Sequence, residues 1–422
     1  MPTLQNAQAQ VVSFLDEIDR LEQSDFPYAH PREALALLKE VFKDHQRLLS
    51  KLTVSTSADV LHNTCQQFLR DLSIYLPFLG FILRATNVRN AFEEYGLLQQ
   101  LADKVIGGDA KLIISSEWEF SPFTYRDPNW LNDFVLIGLP THEASNPLLL
   151  PLAGHELGHS IWVNKNLEGQ YKKRIDREIL SEITSNRWKD YSLLYPNDKR
   201  EDLMSGRHLF HHQTWAPASQ WSLLQIEEIF CDFVGLRIFA EAYFYAFAYL
   251  LSPGLSTQRS LRYPTTQRRV SHLVVAARKL DIRIPPDYGA AFSKEAEPDN
   301  PFTAFLVSVA DTVSSSLVEE LVDLVITIGQ EKEIPSRDIE KVQYIAQNIQ
   351  EWVVPIIKPA SLTDIVNAGW ECNRDESLWN EVLQINRGDE NEFPKNRKRI
   401  LQDIMIKSME IAYVYEHLSM SI

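Results

Sequence analysis

The spacing of apolar residues predicts helices over most of the first hundred positions. One stripe recurs every three or four residues and places these side chains on one face: Val11, Phe14, Leu15, Ile18 and Leu21. A second stripe begins after a proline at position 31: Leu35, Leu37, Leu38, Val41 and Phe42. Residues 58–83 predict a further long helix, interrupted near Pro77 because proline lacks the backbone donor that a helix needs. These patterns predict a helical N-terminal unit over residues 1–105.

The pattern changes to short β-branched runs at residues 111–116 and 133–138, which predict a small sheet. Helical spacing resumes near Leu148, and a segment rich in proline and glycine, 284–301, marks the clearest boundary. Stripes of Val, Leu and Ile then continue to the end of the chain. The predicted fold class is therefore mainly α (α+β), with a middle unit over residues 106–285 and a helical C-terminal unit over residues 300–422.

Composition indicates a folded protein with several packed units. The 422 residues are 45% hydrophobic and 23% charged, which is close to the globular average. Lys and Arg number 42 against 57 Asp and Glu, so the net charge of −15 argues against diffuse binding to nucleic acid or to an anionic membrane. Cys65, Cys231 and Cys372 are too few and too widely spaced for a disulfide framework or a cysteine-rich zinc site. A reducing cytoplasm is the predicted location.

The longest apolar stretch covers residues 234–251 and contains Arg237 and Glu241. Two charges in so short a stretch favour a buried helix of a water-soluble core over a membrane span. The N-terminal residues also lack the basic and apolar regions of a secretory signal, so we expect no membrane insertion.

The sharpest chemical signal is an HExxH sequence, His155-Glu156-Leu-Gly-His159. Positions i and i+4 of a helix share one face, so both imidazoles can bind one zinc ion, while Glu156 lies beside the water that zinc activates. A glutamate in that place can act as general base and later protonate the leaving amine. The flanking residues are apolar, so these three polar side chains lie on a largely buried helix and need a reason to be there.

A catalytic zinc ion needs a third protein ligand and one open position. Glu228 and Asp232 are again i and i+4, so Glu228 can bind the metal while Asp232 accepts the free ring N–H of a ligand histidine. Glu227 is the rival ligand, but Cys231 occupies its i+4 position and supplies no such acceptor. We expect Cys231 to be part of the packed core.

The motif order resembles that of the gluzincin metallopeptidases. An HExxH followed at a long interval by Glu-x-x-x-Asp is similar to the CAAX prenyl endopeptidases and their bacterial heat-shock relatives. A third segment keeps the order of that family's Ser-x-His-Pro and Arg elements at Ser260, Pro264, Arg269, Val270 and Leu273. The chain departs from the family in having Tyr263 where the family has histidine, and in lacking the family's membrane spans, so prenylated substrates are not implied.

The resemblance, which covers about residues 148–273, implies a zincin-like catalytic core with roles for two further residues. Tyr263 would donate its hydroxyl to the developing oxyanion, and Arg269 would hold or neutralise a glutamate near the metal. The histidines of the insertion between the zinc helices are the alternative oxyanion donors: His208, His211 and His212.

The sequence therefore predicts a soluble zinc peptidase that holds one catalytic Zn²⁺ and acts on a protein or peptide substrate. Its ligands would be His155, His159 and Glu228, with Glu156 as general base. Two alternatives stay open: a non-catalytic regulatory or interaction protein with a zincin-like core, and a zinc hydrolase of a non-peptide amide. Substrate specificity and oligomeric state are not encoded in any recognisable pattern.

Overall fold

The structure is a computed structural model. It describes these residues: 2–53, 55–86, 92–107, 110–119, 122–125, 131, 133–143, 145–205, 209–254, 256–334, 336–355, 360–379 and 393–420. Backbone contacts divide the chain into two compact units, one formed by residues 1–99 and 109–145 and the other by 100–108 and 146–422. The fold is mainly helical with a small sheet, as predicted.

The helices and strands follow the apolar pattern closely. In the N-terminal part they are α1 (Pro2–Glu22), α2 (His30–Lys51), α3 (Ala58–Arg84), α4 (Tyr95–Ile106), β1 (Lys111–Glu117), β2 (Phe123–Thr124) and β3 (Phe134–Pro140). The helices after the sheet are α5 (Pro151–Asn164), α6 (Leu167–Ser181), α7 (Trp188–Leu194), α8 (Arg200–Ser205), α9 (Leu209–Phe239), α10 (Glu241–Leu251) and α11 (Thr266–Lys279). The C-terminal helices are α12 (Pro301–Ser316), α13 (Val318–Glu331), α14 (Ile339–Gln350), α15 (Leu362–Arg374) and α16 (Phe393–Met420). Short 3-10 turns lie at Phe92–Glu94, Thr141–Glu143, Pro147–Leu149 and Tyr288–Ala291, and a π-helical turn at Glu182–Asn186.

The first unit packs α1, α2 and α3 against the sheet in one apolar core. The strand order is β1-β3-β2, with β1 parallel and β2 antiparallel to β3. The β1 and β3 pairing runs in register from Lys111 opposite Phe134 to Glu117 opposite Pro140. Both predicted strands are confirmed. β3 lies between the other two strands, so it is the central strand of the sheet.

Side chains cover the outer edge of β1. The amide of Ile114 donates to the Tyr28 hydroxyl at 3.0 Å, and the amide of Leu112 donates to Gln99 Oε1 at 3.0 Å. His30 Nδ1 lies 3.2 Å from the carbonyl oxygen of Leu112. Backbone groups that point away from β3 are thus satisfied by side chains and not by a further strand.

The second unit is built around α9, which contacts α5, α6, α11, α12 and α13. Apolar side chains occur all round this helix, and it is buried on every face over most of its length. The apolar stretch 234–251 does not form one helix. Ala240 adopts a left-handed φ of 49°, which ends α9 and turns the chain into α10. Among the described residues no single helix is long and apolar enough to cross a bilayer; the bent pair α12 and α13, 46° apart, meets those criteria jointly.

Two details differ from the sequence analysis. Helix α3 continues through Pro77 without a break. The sequence predicts three units with boundaries at residues 105, 285 and 300, whereas backbone contacts group the chain into two compact units. The sheet shares the core of the N-terminal helices, and α12 and α13 pack directly on α9.

Candidate metal centre

Helices α5 and α9 approach each other closely because glycines face the contact. A Cβ atom at Gly158 would lie 2.7 Å from Cα of Cys231, and one at Gly154 would lie 3.0 Å from Cα of Gly235. Real Cβ atoms essentially never show a contact of 2.7 Å, and one of 3.0 Å is tighter than most, so the two backbones meet this closely because no side chain intervenes. The close approach brings the HExxH face of α5 against the acidic face of α9.

The two histidines direct Nε2 at the Glu228 carboxylate. Nε2 of His155 lies 3.2 Å from Glu228 Oε2, and Nε2 of His159 lies 3.8 Å from Glu228 Oε1. Ligand atoms about 2.0–2.2 Å from a tetrahedral zinc ion are separated by about 3.4 Å from one another. The observed separations lie on either side of that value, so the distance of each histidine from the Glu228 carboxylate suits a zinc ion bound between them.

The other ring nitrogen of each histidine is paired with a carboxylate. His155 Nδ1 lies 2.9 Å from Asp232 Oδ1, and His159 Nδ1 lies 2.8 Å from Glu227 Oε1. A carboxylate acceptor keeps the proton on Nδ1 and leaves the Nε2 lone pair for a metal. The i+4 spacing does not predict the Glu227 contact, because Glu227 is adjacent to Glu228 in the sequence. A second carboxylate adjacent to Glu228 in a helix that is otherwise apolar was the signal available.

Asp232 is the most heavily hydrogen-bonded of these carboxylates. Arg269 donates to both of its oxygens, at 2.8 and 2.7 Å, and the Tyr243 hydroxyl donates to Oδ1 at 2.7 Å. Burial alone would raise the pKa of Asp232, but the Arg269 charge and these hydrogen bonds hold it well below its usual range. Arg269 therefore pairs directly with Asp232, and its charge also helps to lower the pKa of Glu228, the glutamate next to the two histidines. Tyr243 lies just after the helix break at Ala240, and nothing in the sequence pattern marked it.

The carboxylates around His155 favour a positive charge between them. Burial opposes a charge on His155, but its hydrogen bonds with Asp232 and Glu228 raise its pKa to about 10. Burial likewise raises the pKa of Glu228, yet the hydrogen bond from His155 and the nearby charges of His159 and Arg269 lower it overall. A positive charge is thus held between two carboxylates where a metal would lie.

Glu156 is buried beside the histidines, and its carboxylate makes no hydrogen bond to the side chain of any other described residue. Burial raises the pKa of its carboxyl, and the adjacent His155 and His159 partly oppose that rise. The Glu156 carboxylate is therefore a base of raised pKa, and no hydrogen bond from another described side chain fixes its position.

Cys231 lies on the α9 side of the cluster. Its sulfur and one ring nitrogen each of His155 and His159 lie within 4.8 Å of one another, so these three residues could hold a metal ion. Burial raises the pKa of the thiol well above its ordinary value. Packed on Gly158, Cys231 is a neutral part of the core unless a cation draws off its proton.

The predicted oxyanion donors occupy different positions. Tyr263 precedes α11, is 42% exposed, and has its ring centroid 5.9 Å from the Arg269 guanidinium carbon. His208 and the side chains of His211 and His212 lie outside the described residues. The structure thus brings together the HExxH residues, Glu228, Asp232 and Arg269, and leaves the role of Tyr263 a prediction.

Comparisons with known proteins give no relative on which to rest a function. No protein family model, no curated protein and no solved structure matches this chain.

Proposed function

We propose that this protein is a zinc-dependent hydrolase that cleaves peptide bonds, with a zincin-like core formed by α5, α9 and α11. The observation that carries the proposal is the convergence of His155 Nε2 and His159 Nε2 on the Glu228 carboxylate, at separations that suit a tetrahedral zinc ion. The intact and unpaired Glu156 supports a catalytic use of this cluster. A purely structural metal site has no use for a buried general base.

A zinc ion held by these ligands would supply Lewis-acid activation of water and of the scissile carbonyl. Glu156 accepts the proton of the attacking water, and its raised pKa suits transfer of that proton to the leaving amine. Asp232 and Glu227 hold the two imidazoles in one tautomer and one orientation. Arg269 keeps Asp232 ionised by donating to both carboxylate oxygens.

Metal analysis of the purified protein tests the ligand set. Wild type should contain one zinc per chain, His155→Ala should lose it, and Glu156→Gln should keep it. Full retention of zinc by His155→Ala would refute the assignment.

Hydrolysis is tested by comparing the peptides released from a cell lysate by wild type and by Glu156→Gln. The matched control is Glu340→Gln, which makes the same change at an exposed position of α14. We expect wild type and the control to release the same peptides and Glu156→Gln to release none. Equal release by all three proteins would refute the role of Glu156. Release of small amines without peptides would indicate a non-peptide amide as substrate.

The proximity of Cys231 supports one competing function, a closed zinc site in a regulatory or interaction protein. A thiolate in the fourth position would leave no place for water. Replacement of zinc by Co²⁺ separates the two functions, because a bound thiolate gives an intense charge-transfer absorption that imidazole and carboxylate do not. We expect that absorption to be missing, and the spectrum of Cys231→Ser to match wild type. A thiolate band that Cys231→Ser abolishes would favour the closed site.

A further inference from the structure

Arg237 is a partly buried cation without a carboxylate partner. It lies on α9, five positions beyond Asp232, and Nη2 donates to the carbonyl oxygen of Ile334 at 3.2 Å. Nη1 is buried and has no hydrogen-bond partner within the described part of the chain, and no ion pair of Arg237 occurs there. Burial lowers the pKa of this guanidinium, which shows that its charge is poorly compensated.

The fold makes room for this side chain. A Cβ atom at Gly329 of α13 would lie 3.0 Å from Arg237 Nε, so the guanidinium packs over a position that has no side chain. Beside it is a cavity of about 280 Å³, whose polar lining includes Arg237, Lys279, Gln330, Ser336 and Arg337. We call this space the Arg237 cavity. Its walls come from α9, α11, α13 and the segment before α14.

Three cationic side chains line the Arg237 cavity, and two of them are paired with carboxylates. Lys279 Nζ lies 2.7 Å from Asp323 Oδ1, and Arg337 Nε lies 2.7 Å from Glu241 Oε2. The Asp323 side chain is exposed, so water weakens that pair, and no carboxylate in the described part of the chain forms an ion pair with Arg237. An anion that entered the cavity would meet one uncompensated guanidinium and two further cations from different elements.

We propose that the Arg237 cavity binds a phosphate group, either free phosphate or the phosphate of a monoester. A tetrahedral anion offers oxygens in several directions, so Arg237, Lys279 and Arg337 can each donate to a different one. Ser336 and Gln330 add uncharged donors at the same wall. A single carboxylate is planar and is already satisfied by one guanidinium, so it matches this divergent set of donors less well. The site is separate from the candidate metal centre and does not depend on the function proposed for it.

The test is calorimetric titration of the full-length protein with inorganic phosphate, O-phosphoserine and acetate at constant ionic strength. Wild type should bind at least one of the two phosphates, and bind it more tightly than acetate. Binding of inorganic phosphate assigns the site to the free anion, and binding of phosphoserine alone assigns it to a monoester. Arg237→Met should weaken phosphate binding at least tenfold, the effect expected when a charged hydrogen-bond donor is lost.

Arg278→Met is the matched control, since Arg278 is an exposed neighbour of Lys279 on α11 and should leave the affinity unchanged. If Arg237→Met does not fold, the exposed Lys279→Met variant decides the matter and should weaken phosphate binding several-fold. The same phosphate affinity is expected in His155→Ala, where the candidate metal centre is disabled. Failure of wild type to bind either inorganic phosphate or phosphoserine, equal binding of acetate, an equal loss in Arg278→Met, or dependence of the affinity on His155 would each overturn the proposal.

Discussion

Replacing Gly158 by alanine tests whether the close approach of α5 and α9 builds the candidate metal centre. The added Cβ would lie 2.7 Å from Cα of Cys231, and ordinary contact begins near 3.4 Å, so the helices must separate by about 0.7 Å. The atom in the way is backbone and cannot rotate aside. Overpacking of this kind costs about 1–3 kcal/mol, and alanine regains up to about 1 kcal/mol through its better helix propensity. We expect Gly158→Ala to lower the free energy of unfolding by about 1–2 kcal/mol.

The same shift should disturb metal binding more than stability. Zinc ligand distances hold to within about 0.2 Å, so moving His155 and His159 away from Glu228 by several tenths of an ångström breaks the coordination geometry. We expect zinc affinity to fall at least tenfold. Denaturant unfolding measures the first effect, and competition with a coloured chelator measures the second.

Gly289→Ala is the control for the change of residue type. Its Cβ would meet only Val270 Cγ1, at 3.9 Å, which is ordinary contact. This variant should match wild type in both assays. Wild-type stability together with wild-type zinc affinity in Gly158→Ala would refute the argument that helix separation sets the geometry of the site.

Three further predictions follow from the buried charges. Asp232→Ala leaves the Arg269 guanidinium without its carboxylate, so the free energy of unfolding in denaturant should fall by about 3–5 kcal/mol. The double variant Asp232→Ala with Arg269→Met should recover part of that loss, and additive losses would contradict the prediction. Zinc that binds His155 must displace a proton held with a pKa of about 10. Zinc affinity, measured by chelator competition, should therefore rise about tenfold per pH unit between pH 6 and 8. An affinity that does not change with pH would contradict this prediction. Burial, aided by Arg268, lowers the pKa of His272 to about 4, below its unfolded value of 6.5. The neutral His272 therefore stabilises the fold above pH 6.5, and the free energy of unfolding should fall by about 3 kcal/mol as the pH is lowered toward 4. His272→Leu should remove that part of the pH dependence of unfolding.

The parts of the site that sequence could predict are those fixed within one helix. His155 and His159 share a face because they are i and i+4, and the same rule places Glu228 and Asp232 together. Apolar spacing also sufficed for most of the helices and for both long strands. These features depend on local geometry, which the order of residues specifies directly.

The parts that could not be predicted depend on how one element crosses another. Glu227 reaches His159 only because α5 crosses α9 at Gly158, and Tyr243 reaches Asp232 only because Ala240 turns the chain back. The glycines at positions 154 and 158 mark a face of α5 that can approach another helix, but not which helix it meets. The turn has no sequence signature, since alanine is an unusual residue for a left-handed φ. The packing of the sheet with the N-terminal helices is likewise a long-range choice that apolar spacing leaves open.

The side chains along β1 also bear on self-association of the protein. An uncovered strand is a template on which a second molecule can add its own strand, and this is a common start of aggregation. The Tyr28 hydroxyl and the Gln99 amide occupy the backbone groups of Ile114 and Leu112 that such a strand would use. Growth of the sheet through β1 therefore requires displacement of these side chains first, so the folded chain is protected from β-sheet polymerisation at this strand.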